Sequence, residues 1–398
     1  MEKRRCGANL VAVLVFVCCI INLICFVPSV NNTSYAQNAN ELKVHFIDVG
    51  QGDSIFCELP DGRTMLIDAG TSEMGDRVAS YIKDLNYSVI DIFIVTHADI
   101  DHSGGAEKIL NEFEVKNIFR PFVVAYNAND EFEDDILGLF NSDEILISAD
   151  SEYINFIKAC YNENGATITT ISNNCTNSCL FGGNGSYFVE FISPFAVDGS
   201  SEFISGSGKT SGYPLNFYED GNVNSAVVYL SCYNKTFLFC SDATKETEDN
   251  IISYAKENSI FKERISNIDV LKVAHHGSGD SSSNDFLSII NPKYAIISVG
   301  NNNEYGHPDG ETINNLRKSV EKIYRTDKSG HIIVTVDMEG RLTIKTKSSE
   351  LFFSKPWFIY LGLGIIVLAI ITISVIFVVK DKKSKKELHQ NSGNKEKV

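Results

Sequence analysis

The stretch Ile92-Phe93-Ile94-Val95-Thr96-His97-Ala98-Asp99-Ile100-Asp101-His102-Ser103-Gly104-Gly105 carries two imidazoles and two carboxylates within six positions. Its apolar start reads as a buried strand that stops where the polar cluster begins. Asp101-His102-Ser103-Gly104-Gly105 then opens a helical pattern, with Ile109, Leu110 and Phe113 at helical spacing. His97, Asp99, Asp101 and His102 are therefore delivered from one strand-to-helix turn, where side chains converge on a point outside the sheet. Convergent carboxylate and imidazole donors are what a hydrolytic metal centre needs. A polar loop with an Asp N-cap is the plainer alternative, but it does not require four potential ligands followed by Ser-Gly-Gly.

On the N-terminal side of this turn, residues 42–49 alternate like a strand and run into the glycine turn Gly50-Gln51-Gly52-Asp53-Ser54. Residues 55–59 and 64–67 read as a hairpin around Pro60-Asp61-Gly62. Residues 78–85 read as a helix, 115–121 as a strand, 151–161 as a helix and 167–171 as a strand. Residues 173–186 and 200–212 are polar and rich in Gly, Ser and Asn, the composition of loops over one face. A regular pattern returns at Asn224, with a strand pair ending in Phe239-Cys240-Ser241-Asp242. A helix over 246–258 precedes Val270-Leu271-Lys272-Val273-Ala274-His275-His276-Gly277-Ser278. The strand 294–299 leads to Asn303-Glu304-Tyr305-Gly306-His307-Pro308, and strands at 332–336 and 342–346 close the domain.

The chain has 398 residues and a formal charge of -16, unevenly spread. Residues 1–5 hold three basic residues and one acidic; residues 380–398 hold seven and three; the stretch between has 25 basic against 47 acidic, or -22. An acidic body argues against a broad nucleic-acid-binding face, which needs clustered Lys and Arg. It leaves open a metal-assisted nuclease, whose ions supply local positive charge.

Residues 1–36 have a basic start, an apolar run and Ser34 and Ala36 before a cleavage point, the pattern of a signal peptide. An uncleaved signal anchor is the alternative. Residues 356–379 are 24 positions without a charge, opened by Trp357 and Tyr360 and followed by Lys380-Asp381-Lys382-Lys383. That predicts a transmembrane helix with a basic cytoplasmic tail over 380–398, and a body over 42–349 on the outer side of the cell membrane. Among ten cysteines, Cys175 and Cys179 are placed for a local disulfide in an exported domain. Cys57, Cys232 and Cys240 sit in apolar runs that suit buried thiols.

Taken together, several motifs resemble the metallo-β-lactamase fold and, within it, the extracytoplasmic domain of ComEC-type competence proteins. They are Asp48-Val49-Gly50-Gln51-Gly52-Asp53-Ser54, Leu66-Ile67-Asp68-Ala69-Gly70, the Thr96–Gly105 turn, Ser241-Asp242, His275-His276-Gly277-Ser278, Asn303-Glu304-Tyr305-Gly306-His307-Pro308, and Arg325-Thr326-Asp327 with Gly330. The resemblance implies an α/β fold, an αββα sandwich with its metal site at one edge of the two sheets. Two divalent ions, zinc or manganese, are implied as cofactors.

Matched position by position, His97, Asp99, Asp101 and His102 become metal ligands, and Asp242 the carboxylate between two ions. The last imidazole ligand stays open among His275, His276 and His307. His307 fits by order, as a ligand or as a general acid on the leaving group; His275 is the alternative ligand. Asp101, His276 and His307 are the candidate catalytic residues. Asp68 is expected to orient the metal turn, and Lys272 to sit too far down its strand to take part.

One departure stands out. Most members of the wider fold have His where this chain has Asp99, and another His before the Asp242 position. No histidine lies between His102 and His275, and Asn224-Ser225 is the nearest counterpart. An oxygen-rich site favours harder ions such as Mn²⁺. The many-spanning channel of competence proteins has no match in the sequence, so DNA transport by this chain alone is not expected.

The expected function is a membrane-anchored, extracytoplasmic phosphodiesterase or nuclease, acting on DNA or a small phosphodiester through a hydroxide held between two ions. The alternatives are ester, amide or lactam hydrolysis at the envelope, and a non-catalytic receptor or adaptor on the same fold.

Overall fold

A computed structural model of the chain describes residues 40–121, 123–126, 145–148, 151–163, 165–171, 180–181, 185–193, 221–347, 371–376, 378–380 and 382–385. The described residues up to Lys347 fall in one compact unit and those from Ile371 in another.

Alternation along the strands builds the layers of the first unit, because successive side chains of a strand point to opposite faces. Leu42, Val44, Phe46, Ile55, Cys57, Met65, Ile67, Ile92 and Ile94 pack into one apolar layer. Their neighbours Phe56, Leu66 and Phe93 pack into a second, on the opposite face. Val228, Leu230, Phe237, Phe239, Val270 and Ile296 meet the first layer from another sheet. Val227, Tyr229, Leu238, Leu271 and Ile297 turn away into a third. Three apolar layers around two sheets require helices on both outer sides.

The helices are there. Gly75–Asp84, Ala106–Glu112 and Ser151–Asn162 cover the first sheet through Val78, Ile82, Ile109, Leu110, Tyr153 and Phe156. Lys245–Glu257, Ser259–Ile265, Asn284–Ile290 and Gly310–Ser319 cover the second through Ile251, Phe261, Phe286 and Leu316. The αββα expectation holds.

The first sheet orders its strands Thr167–Ile171, Asn117–Pro121, Ile92–Ile94, Thr64–Ile67, Ile55–Glu58, Leu42–Phe46, His331–Val336 and Leu342–Lys347. Ile92–Ile94 lies parallel to both its neighbours, which accounts for its unbroken apolar run. The second sheet orders Leu180–Phe181, Tyr187–Ser193, Val227–Cys232, Lys235–Phe239, Val270–Lys272, Tyr294–Ile297 and Lys322–Arg325. From Lys235–Phe239 onward its strands run parallel, so their C-terminal ends, and the loops bearing Asp242, His275, His276 and His307, lie on one edge.

Three local differences from the sequence reading have simple causes. The helical pattern after Asp101 splits into a turn, Ile100–Ser103, and a helix, Ala106–Glu112. Backbone from elsewhere presses in between: a Cβ on Gly105 would meet the Ala69 carbonyl oxygen at 2.3 Å. Leu180–Phe181, within a stretch read as loop, pairs antiparallel with Phe188 and Val189. The Gly310–Ser319 helix and Lys322–Arg325 edge strand were not anticipated, since their polar positions hide both periods.

Cys57, Cys160, Cys232 and Cys240 are buried free thiols. Cys175, Cys179, the whole leader, the 200–212 loop and residues 356–370 lie outside the described residues. Ile371–Ile376 is helical, and among the described residues no helix is long and apolar enough to cross a membrane.

Candidate metal centre

The metal turn is fixed by its second layer of hydrogen bonds. Asp68, in the left-handed region at φ 56°, accepts from the Thr96 N–H, the Thr96 hydroxyl and His102 Nδ1, each at 2.8 Å. With its proton given to Asp68, Thr96 Oγ1 can only accept from His97 Nδ1, 3.1 Å away. His276 Nδ1 donates to the Ser298 carbonyl at 3.0 Å. Each of the three imidazoles thus has its Nδ1 proton tied to the protein, leaving an Nε2 lone pair to point at the centre. That arrangement of outer partners sets the tautomer a metal-binding His needs.

Asp242 stands among these nitrogens. Its carboxylate oxygens lie 3.1 Å from His102 Nε2, 3.5 Å from His276 Nε2, 3.7 Å from His275 Nε2 and 4.0 Å from His97 Nε2. Asp101 reaches His276 Nε2 at 3.1 Å, and Asp99 reaches His97 Nε2 at 3.7 Å. His97, His102, Asp242 and His276 are buried. The fold therefore gathers His97, Asp99, Asp101, His102, Asp242, His275 and His276 around one point.

His307 is placed differently. Its ring lies 5.6 Å from that of His275, on the rim, with Tyr305 stacked on its other side. The position among the buried nitrogens belongs to His276, one of the three candidates the sequence left open, where chain order had favoured His307. The cause is backbone: His275, His276 and Gly277 are consecutive left-handed residues, at φ 48°, 52° and 85°. Such a reversal turns the second imidazole inward and leaves the first, His275, facing the rim; no sequence periodicity announces it.

Lys272, which sequence reasoning set aside, is paired with Asp53 of the glycine turn. Lys272 is fully buried; its ammonium pairs with Asp53 and donates to the Ser241 carbonyl at 3.0 Å. Asp53 sits 3.8 Å from His102 Nδ1 and 3.7 Å from His276 Nδ1. Gly52 brings it there: the Asp53 N–H donates to the Asp101 carbonyl, and a Cβ on Gly52 would lie 2.2 Å from that oxygen. A lysine in an otherwise apolar strand was the available signal, since a buried cation needs a partner.

The charges explain one another. Burial raises the Asp242 and Asp101 carboxyls, but the neighbouring His102 and His276 more than offset it and hold both below the usual range. Burial lowers His276, yet Asp242 and Asp101 push it up to about 9. The same carboxylates that would retain a proton on Nε2 favour any cation at that spot.

The donor set fits divalent ions. One ligand atom each from Asp53, His102, Asp242 and His276 lie within 4.8 Å of one another. His97 Nε2 is buried with no hydrogen-bond partner, as a nitrogen reserved for a metal would be. Asp101, His102, His276 and Asp242 can hold one ion; His97, Asp99 and Asp242 can hold a second. Ser225, near the missing histidine's place, is buried with an unpartnered hydroxyl, beside Ala226, whose N–H donates to the Thr96 carbonyl.

The metallo-beta-lactamase superfamily model matches residues 47–164, which include the whole metal turn. The chain has the metallo-β-lactamase fold and is similar to ComEC-type competence proteins. ComE operon protein 3 of Bacillus subtilis is 27% identical over 333 residues, a match covering 79% of this chain and 35% of that protein. Recombination protein 2 of Haemophilus influenzae is 25% identical over 321 residues, covering 79% and 31%. Competence protein ComA of Neisseria gonorrhoeae is 32% identical over 111 residues, covering 28% and 15%. The chain spans about a third of the length of the first two relatives.

Proposed function

We propose that this protein is a membrane-anchored, extracytoplasmic metal-dependent phosphodiesterase acting on DNA or a smaller phosphodiester. The observation that carries the proposal is Asp242 set among four imidazoles, with Asp101 and Asp99 on its two sides. Similarity to competence-related proteins favours a nucleic acid as substrate. The charge-free run over 356–379 and its basic flank favour the anchor.

Two divalent ions, when bound, would supply an activated water and Lewis-acid stabilisation of charge developing on the phosphoryl oxygens. The chain's own residues do the rest. Asp242, whose negative charge His276 and His102 favour, would contribute to both ion positions. Asp68, through His102, and Ser298, through His276, fix the ligand orientations before substrate arrives. Burial, and then the neighbouring His275 and His276, lower the half-buried His307 on the rim and favour its neutral form. A neutral imidazole there can accept a proton but is a poor donor to a leaving oxygen.

The test is turnover by purified protein stripped of metal and reloaded with Mn²⁺ or Zn²⁺, on labelled single- and double-stranded DNA. Metal-dependent cleavage that disappears in Asp101→Ala and Asp242→Ala, with the fold intact, is the expected result. Binding of metal without cleavage would instead favour an ester, amide or lactam hydrolase, and absence of metal binding an adaptor.

A further inference from the structure

Tyr305 is 73% exposed, one of three large hydrophobic side chains so exposed among the described residues up to Lys347. The other two, Ile260 and Met338, lie on a helix and a hairpin turn, whereas Tyr305 lies on the loop that carries His307. Its ring is stacked on His307 at 5.7 Å between centroids and 13° between planes. His307 in turn lies 5.6 Å from His275, and His275 Nε2 is 3.7 Å from Asp242. A chain of rings therefore leads outward from the Asp242 carboxylate to an open aromatic face.

The loop beneath these rings is held from several sides. Asn303 accepts from the His307 N–H at 3.0 Å and donates to the His307 and Gly300 carbonyls at 2.7 and 3.0 Å. The Asp309 N–H donates to the Gly277 carbonyl at 2.8 Å. A Cβ on Gly277 would lie 2.5 Å from the Pro308 Cβ, so the loop is seated directly on the His-His-Gly turn. An exposed tyrosine on a fixed loop presents its face without paying the ordering cost of a mobile one. Surface decoration would not require that clasp.

We infer that Tyr305 and His307 form a stacking platform for a planar ring of the substrate, a nucleobase next to the phosphodiester at the metal centre. This rests on the phosphodiesterase proposal for its substrate class. Base–aromatic stacking tolerates every base, because each has a π-face. Such a platform would let a protein of net acidic charge hold a nucleotide without a broad basic surface.

The experiment compares binding of thymidine 5′-monophosphate and 2-deoxyribose 5-phosphate to the full-length, Mn²⁺-loaded protein, alongside cleavage of a thymidine dinucleotide. The ring-free phosphate, having nothing to stack, is the internal reference. The expected affinity ratio is about five- to 150-fold in favour of the nucleotide; Tyr305→Ala brings it near one, and Tyr305→Phe keeps it. A wild-type ratio near one, or a ratio untouched in Tyr305→Ala, overturns the platform. Cleavage without a base-dependent ratio removes the platform and leaves the phosphodiesterase; a Tyr305-dependent ratio without cleavage leaves the platform and removes the phosphodiesterase.

Discussion

Asp68 Oδ2 and His102 Nδ1 are 2.8 Å apart in a fully buried pair, and the same carboxylate group takes both polar hydrogens of Thr96. One side chain thereby sets the tautomer of His102 directly and that of His97 through the threonine hydroxyl. Asp68→Asn keeps the size and tolerates the left-handed backbone, but its amide cannot accept all three protons. We expect metal affinity or turnover to fall about 10- to 100-fold, with the unfolding transition little moved. Metal titration by calorimetry beside a denaturation curve separates the two; equal loss in both would make Asp68 a folding residue only.

The sequence made the layers and the metal turn legible for different reasons. Strands such as Leu42–Phe46 and Lys235–Phe239 bury one face in the inter-sheet layer, and the two-residue period of their apolar side chains survives in the sequence. The His97–His102 turn was readable because its ligands are contiguous. His276 was not separable from His275 and His307, because its selection depends on three left-handed residues in a row. Lys272 was discounted because its partner Asp53 lies more than two hundred positions away and is delivered by a glycine contact with Asp101.

The Lys272–Asp53 pair makes a second expectation. Both side chains are buried, so removing one leaves an uncompensated charge beside the metal ligands. Lys272→Met should cost about 3–5 kcal/mol in denaturant unfolding of the metal-free protein. Combining it with Asp53→Asn should recover a large part of that loss. If the double variant is as unstable as the sum of the two single changes, the pair is not coupled.

Acid should weaken the fold through His331. Its Nδ1 accepts the Asp48 N–H at 3.0 Å, and its ring packs on Tyr81 at 4.7 Å. Burial first, and then the Arg77 charge, lower its pKa to about 4. The unfolded chain thus binds this proton near pH 6.5 while the folded chain refuses it until about pH 4. Stability is fully present above 6.5 and falls as pH drops toward 4, at no more than about 1.4 kcal/mol per pH unit for one proton. His331→Asn, which can still accept the amide, should flatten that part of the stability–pH curve. An unchanged slope would assign the acid loss to other groups.

Asp99 offers a test of why this centre is rich in oxygen. Its side chain is 49% exposed, while its partner His97 is 2% exposed, so a larger ring can be placed there without repacking the core. The wider fold carries His at this position, and imidazole suits zinc better than a carboxylate suits it relative to manganese. Asp99→His should therefore shift the ratio of Zn²⁺ to Mn²⁺ affinity toward zinc, on the order of tenfold, at the ion held by His97, Asp99 and Asp242. The ion held by Asp101, His102 and His276 should keep its own preference, since Asp99 is not among its donors. Competition titration of the metal-depleted protein reads both. A change at both ions together would mean that Asp242 transmits the substitution across the pair, and a change at neither would place Asp99 outside the ligand set, leaving His97 and Asp242 to hold that ion with solvent.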